Sequence, residues 1–353
     1  MTPQGTFFLP GPTEVSPDVL AAQTRPMIGH RGAAIQTLMA NIATGMRSVF
    51  QTERPVIVST SSASGLMEGA IRNGVGTGPV LCLVNGAFSG RFATIAKACG
   101  KDTEIWEVGW GTTHSVDELA RRLSERRYDA VTLSQSETST GALHDLERVA
   151  AVVAEHPGTL LLVDSVTGIG GVETRPDDWG IDFILTGSQK ALALPPGLAF
   201  GAASEAMMER AASIPDRGWY FDLVKLAEGV GKNQTPATPA ISLLYSLEYQ
   251  LERILAEGIE ARWKRHLQMQ ARVLEWVEDA GLDVLAVEGH RSPTVTCVVH
   301  PEPGRVVKAM AERGWVIGAG YGQVSDRTFR IGHMGDHTLE EVDALLAVIG
   351  EVI

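Results

Sequence analysis

Asp164, at the end of the apolar run LLLVD, and Lys190, in the run DFILTGSQKAL, are the residues whose types and placement first suggest chemistry. Pyridoxal phosphate needs such a pair. A lysine amine holds the aldehyde as a Schiff base, and a carboxylate keeps the pyridine nitrogen protonated so that the ring can take up electrons. Singly, each residue has a plainer reading, Asp164 as a helix cap or turn residue and Lys190 as a surface lysine. On separate strand ends, at the rim where open α/β sheets bind ligands, they favour a cofactor site together.

The phosphate of such a cofactor needs backbone amides and hydroxyls at a helix N-terminus. VIVSTSSASGLMEGAI (56–71) supplies a strand, a serine-rich turn and a helix in that order, with Ser62, Ala63 and Ser64 at the turn. Serine clusters are also common in ordinary loops. Phe88, in NGAFSGR, could stack on a ring or simply pack. Thr138, in SQSETSTGAL, could bond a cofactor oxygen or cap the next helix. Arg330, in TFRIGHMGD, could clamp a carboxylate bidentately or sit in a surface ion pair.

These residues must be positioned by regular elements. VIVS (56–59), VLCLV (80–84), TEIWEV (103–108), AVTLS (130–134), LLLVD (160–164), DFILT (182–186) and LAFGA (198–202) are apolar runs of strand length. Without alternation, they predict strands buried on both faces of a mostly parallel sheet. Pro17 after Ser16 marks a helix start, and Ser115 with Glu118 reads as a capping box before LARRL. The chain is therefore expected to be α/β over residues 16–240. After QTPATPA (234–240) a long helical stretch is expected over 241–280, then a strand at TVTCVV (294–299) and a helix near 305–313. TFRIG (328–332) reads as a strand, and a last helix is capped by Thr338 and Glu341. Residues 241–353 should form a smaller α+β domain, with residues 1–15 packing alongside it.

Composition narrows the class. The chain has 353 residues, 44% hydrophobic and 20% charged, with 30 Lys plus Arg against 42 Asp plus Glu. A net charge of -12 leaves no basic face for nucleic acid. The arginine doublets at 121–122 and 126–127 read as a helix's solvated face. MTPQGTFFLPGPTEV lacks a positive start and a long apolar run, so neither a signal peptide nor a membrane span is expected. Cys82, Cys99 and Cys297 have no CxxC spacing, which suggests free thiols and a cytoplasmic enzyme. No GxGxxG follows the first strand, the glycines of GAGYGQ (318–323) being wrongly spaced, and no Walker or GxSxG motif occurs. The histidines have no metal-ligand spacing, so no metal is expected.

Taken in order, FLPGPTEVSP, SETSTG, VDSVTGIGG, GSQKAL-x-LPPG and FRIGHMGDHT resemble the fold-type I, class V aminotransferases. The likeness, which includes WYFD (219–222), is to their alanine–glyoxylate, serine–pyruvate and serine–glyoxylate branch. It implies the pyridoxal-phosphate transferase fold and a homodimer with shared active sites. Lys190 would be the Schiff-base lysine, Asp164 the partner of the ring nitrogen, and Gln189 a residue near the phosphate. Val166 and Phe88 would cover the two ring faces. Ser62, Ala63 and Ser64 would form the phosphate cup, with Thr138 beside the phenolic oxygen. Arg330 would bind the substrate's α-carboxylate, and Gly11 would line its pocket. Thr238 best fits the threonine donated by a second subunit, and Thr235 stands where several relatives carry an aromatic residue.

The expected activity is ping-pong transfer of an amino group from alanine or serine to glyoxylate or pyruvate. His30 and Arg31, in MIGHRG, add polarity near the presumed pocket mouth, or else only contact a neighbouring subunit. They open a second reading, 2-aminoethylphosphonate–pyruvate transamination. A lyase such as a cysteine desulfurase would need a cysteine on a mobile loop, and Cys297 lies in a strand-like run. A non-catalytic cofactor-binding protein would not need Arg330 together with Lys190.

Overall fold

The computed structural model describes residues 5–353; the first four residues of the expected 1–15 segment lie outside it. A seven-stranded sheet runs, in spatial order, Val56–Ser59, Ala199–Ala203, Phe183–Gly187, Leu160–Asp164, Ala130–Ser134, Val80–Val84 and Thr103–Glu107. All neighbours are parallel except Ala199–Ala203, which runs antiparallel to both strands beside it.

Burial on two faces explains the unalternated runs. Leu81, Leu83, Val131, Leu133, Leu161 and Val163 join one apolar cluster, while Val80, Cys82, Ala130, Leu160 and Leu162 join another. Successive side chains of a strand point to opposite faces, so both sets must be apolar when helices cover both. Thr103–Glu107 is the edge strand, and there Ile105 is exposed.

A five-stranded sheet lies further along the chain, in the order Thr6–Phe8, Trp315–Ala319, Thr328–Ile331, Thr296–Val299 and Asp283–Val284. Phe8, Val298, Ile317 and Phe329 from it share a core with Met269, Val273, Val306 and Leu345 from three helices.

Several expectations change in detail. The stretch 241–280 is two helices, Ile241–Glu257 and Ile259–Asp279. Gly258 separates them at φ 85°, a left-handed conformation glycine adopts without a Cβ clash. The first of the two packs Ile241, Leu244 and Leu251 into the large-sheet core, whereas the second gives Met269 and Val273 to the small one. The two helices thus serve different cores, with Gly258 between them. Trp315–Ala319, which contains the first glycine of GAGYGQ, is a strand that the pattern does not announce. The box at Ser115 is one-sided. Its hydroxyl accepts from the Glu118 amide, but the Glu118 carboxylate pairs with Arg121 and Arg122. The box at Thr338 and Glu341 is complete in both directions. No helix of the described residues is long and apolar enough to cross a membrane.

Candidate active site

A cavity of about 320 Å³ opens at the strand-end rim of the large sheet, with Asp164 and Lys190 both in its wall. Asp164 terminates its strand with one carboxylate oxygen 2.9 Å from the Val166 amide and the other 2.9 Å from the Ser134 hydroxyl. Burial outweighs these two bonds and raises its pKa to about 6. At neutral pH it stays mostly ionised while remaining short of a cationic partner.

Lys190 sits in the loop that reverses the chain between Phe183–Gly187 and Ala199–Ala203. The Ser188 hydroxyl donates to the Pro195 carbonyl at 2.7 Å, and the Ala193 amide to the Lys190 carbonyl at 2.8 Å. The N-terminal segment clamps this loop from outside. Thr13 donates from its amide to the Gln189 carbonyl and from its hydroxyl to the Lys190 carbonyl, each at 3.1 Å. The Lys190 ammonium in turn donates to the Pro10 carbonyl. Gly11, at φ 120°, lies so close that a Cβ there would stand 2.4 Å from Nζ. Burial, then the nearby Arg330, lower the lysine pKa to about 7, so a large fraction is the neutral, nucleophilic amine at physiological pH.

The helix Ala63–Gly74 starts at the same cavity, with Ser62 as its N-cap and no side-chain cap bond. Its first amides and the dipole of three turns are thus available to an anion. Phe88, Thr138, Val166, Gln189 and Gly11 also lie in the wall. The Lys190 Nζ lies 5.8 Å from the Phe88 ring centre, and the Thr138 hydroxyl is 3.1 Å from that of Thr167.

Arg330 is not in this wall but is joined to it. On the strand Thr328–Ile331, it donates from Nε to the Ala319 carbonyl at 2.9 Å and from Nη1 to the Thr138 carbonyl at 3.2 Å. Among the described residues no carboxylate pairs with it, and burial lowers its pKa. Thr235, Thr238, His30 and Arg31 lie elsewhere. Arg31 donates to the Thr235 carbonyl at 2.9 Å and to that of Pro236 at 3.1 Å, and Thr235 and Thr238 line a small pocket with Trp219 and Tyr220.

Sequence reasoning passed over two residues. Glu137 is fully buried, accepting from the Ser89 amide at 2.9 Å, the Phe88 amide at 3.1 Å and the Ser139 hydroxyl at 2.7 Å. It caps the helix Ala87–Ala98 and ties the Phe88 turn to the Thr138 loop. An acidic residue inside SETSTG, just after an apolar strand, was its signal. Arg91, one turn after Phe88, lies in the cavity wall with its Cζ 4.8 Å from the Phe88 ring centre and Nη1 3.4 Å from the Ser64 hydroxyl. Its signal was the three-residue spacing that puts both on one helix face.

A buried low-pKa lysine and a buried carboxylate in one cavity, on a mostly parallel sheet flanked by helices, define a fold-type I pyridoxal-phosphate enzyme. Residues 14–345 match the family model for class-V aminotransferases. The chain is 34% identical to the L-aspartate–glyoxylate aminotransferase of Paracoccus denitrificans, over 96% of this chain and 88% of that one. It is 33% identical to a protein of Synechococcus sp. named soluble hydrogenase, small subunit, over 100% of this chain and 94% of the relative. The structure superposes on the crystal structure of alanine–glyoxylate aminotransferase from Nostoc sp. with a TM-score of 0.94 at 33% identity, covering 100% and 96% of the two chains.

The chain belongs to the class-V aminotransferases, and its cofactor is pyridoxal phosphate. The residues present fit that group. The cavity offers an amine for an aldehyde, a carboxylate for a ring nitrogen and an uncapped helix N-terminus for a phosphate, each from a different element. Among the described residues no three His, Cys, Asp or Glu are grouped to hold a metal ion.

Proposed function

We propose that this aminotransferase moves an amino group from alanine or serine to glyoxylate or pyruvate, in two alternating half-reactions centred on Lys190. The observation that carries the reading is the joint placement of Lys190 and Asp164 in one cavity, with a carboxylate-free Arg330 held against it through Thr138. When bound, pyridoxal phosphate supplies an aldehyde that accepts the amino group and a ring that accepts electrons from the substrate's Cα–H bond.

Lys190 would hold the aldehyde and, as a free amine, would move the proton from the substrate Cα. A pKa near 7 suits both tasks, since the amine must be neutral to attack and basic enough to take a proton. Asp164 keeps a proton on the ring nitrogen. Its own bonds to Ser134 and Val166 fix both oxygens, so the carboxylate does not need to reorganise. The amides at Ser62, Ala63 and Ser64, with Gln189 and the Arg91 guanidinium, take the phosphate. Phe88 and Val166 would cover the ring faces, Thr138 would stand beside the phenolic oxygen and Gly11 would line the substrate space. Arg330 takes the α-carboxylate in its two-pronged fork.

The same proposal includes a cytoplasmic homodimer. In it one of Thr238 and Thr235, with Thr238 the better fit, reaches the phosphate of the neighbouring subunit, and residues 16–240 form the cofactor-holding domain beside a smaller one. His30 and Arg31 line no part of the Lys190 cavity in this chain. Cys297 gives no support to a lyase, because its thiol is buried, pushed up to about 11 and directed at the Ser139 carbonyl.

The test is a donor panel on the purified holoenzyme. Addition of L-alanine or L-serine should bleach the visible absorbance of the lysine-bound cofactor, and glyoxylate or pyruvate should restore it. A band unmoved by either amino acid, but bleached by 2-aminoethylphosphonate or by no amine, would overturn the proposal.

A further inference from the structure

Tyr321 lies in the glycine-rich loop between Trp315–Ala319 and Thr328–Ile331, a segment to which the reaction outlined above assigns no task. Its ring stacks on Phe88, with centres 5.6 Å apart and planes 18° from parallel. The Arg330 Cζ lies 5.4 Å from the centre of the same ring. One aromatic side chain from the small sheet therefore spans the gap between the aromatic wall beside Lys190 and the guanidinium offered to the carboxylate.

The loop is closely packed on either side of Tyr321. A Cβ on Gly322 would stand 2.6 Å from the Trp110 ring, and one on Gly320 would stand 2.5 Å from the Thr328 carbonyl oxygen. Gly322 also has a φ of 62°, so the turn that presents Tyr321 is pressed between Trp110 and its own strand. Yet 41% of Tyr321 remains exposed, and its hydroxyl has no bond to any described residue. A closely packed loop that leaves its aromatic side chain partly uncovered, against Phe88 of the cavity wall and beside Arg330, presents a contact surface rather than a core residue.

We propose that Tyr321 limits the size of the amino donor's side chain. The inference rests on the transaminase reading. An amino acid with its carboxylate on Arg330 and its nitrogen directed to the Lys190 side must place Cα alongside the stacked Phe88 and Tyr321 rings, since Arg330 lies over the one and Lys190 near the other. A methyl or hydroxymethyl group fits beside that ring, whereas a branched four-carbon side chain meets its face. The stacked guanidinium also keeps the Arg330 fork turned toward the same space.

The experiment compares kcat/KM for L-leucine and L-alanine, with one oxo-acid acceptor, in the wild type, Tyr321→Ala and Tyr321→Phe. Removing the ring should raise the leucine-to-alanine ratio by about tenfold or more, the scale on which a few methylenes are discriminated in a pocket. Tyr321→Phe should leave the ratio within threefold, because the ring and not the hydroxyl sets the size. A rise of less than threefold in Tyr321→Ala, or an equal rise in Tyr321→Phe, would overturn the proposal. Visible cofactor absorbance reports that each variant is folded, and if Tyr321→Ala lacks it the same criterion is applied to Tyr321→Leu. A wild-type enzyme that transaminates no small amino acid sinks the functional reading itself, whereas one that does so with an unmoved ratio sinks the role of Tyr321 alone.

Discussion

Lys190 and Arg31 both end on backbone carbonyls, yet they belong to regions of opposite character. The Lys190 amine is buried at the large sheet's rim, bonded to Pro10, with its pKa drawn down to about 7. Arg31 is exposed and fastened to the Thr235 and Pro236 carbonyls, on a face that also bares Met27, Trp219 and Tyr220. In the first region Asp164, Lys190 and Arg330 all come from one chain, and they are held away from their ordinary ionisation. The second has its polar groups tied down and its apolar side chains uncovered, the composition of a surface that another subunit covers. Substitutions should therefore act through chemistry in the first region and through assembly in the second.

The largest effect should come from Lys190→Ala. Steady-state turnover is expected to fall by about 10⁴-fold or more, with loss of the visible absorbance, because both the covalent anchor and the Cα base are gone. Next, Asp164→Asn should lower kcat by roughly 10²–10³-fold, the usual scale for removing one preorganised electrostatic partner. The absorbance should persist, which separates it from the lysine variant. Gly11→Ala tests the close packing behind the lysine. Its Cβ would meet Nζ at 2.4 Å on a backbone of positive φ, so cofactor affinity should weaken about tenfold and Tm should drop by a few degrees. In the second region, Thr238→Ala should raise the cofactor Kd by about tenfold at most, one charge-assisted hydrogen bond. That loss should deepen on dilution if the hydroxyl is donated across subunits.

Acidity sharpens the same contrast. Covalent capture of pyridoxal phosphate by the apoprotein requires neutral Lys190. Its rate should rise with pH through about 7 and level off, whereas a lysine at its ordinary value would still be climbing well above pH 9. Stopped-flow measurement of the band's appearance between pH 6 and 9 checks this.

The two regions also differ in how far the sequence announces them. The strands Leu160–Asp164 and Phe183–Gly187 are legible because both faces are buried, leaving mostly apolar runs, the first ending in Asp164 and the second three residues before Lys190. Thr6–Phe8 and Asp283–Val284 are too short for a period to show, and Trp315–Ala319 is interrupted by glycine. The break at Gly258 is invisible because apolar residues recur on both sides of it, although they face different sheets. In the site, Asp164 and Lys190 can be picked out by residue type at a strand end. Glu137 and Arg91 leave only a faint signal and Tyr321 none, because each acquires its place through a partner on another element: the Phe88 turn, Ser64, and Phe88 with Arg330.

The account turns on which amine carries the cofactor. Reduction of the reconstituted holoenzyme with borohydride, followed by peptide mapping, reads this directly. A stoichiometric pyridoxyl adduct on the peptide containing Lys190 is the expected result. An adduct on a different lysine, or none while the cofactor is demonstrably bound, would contradict the account.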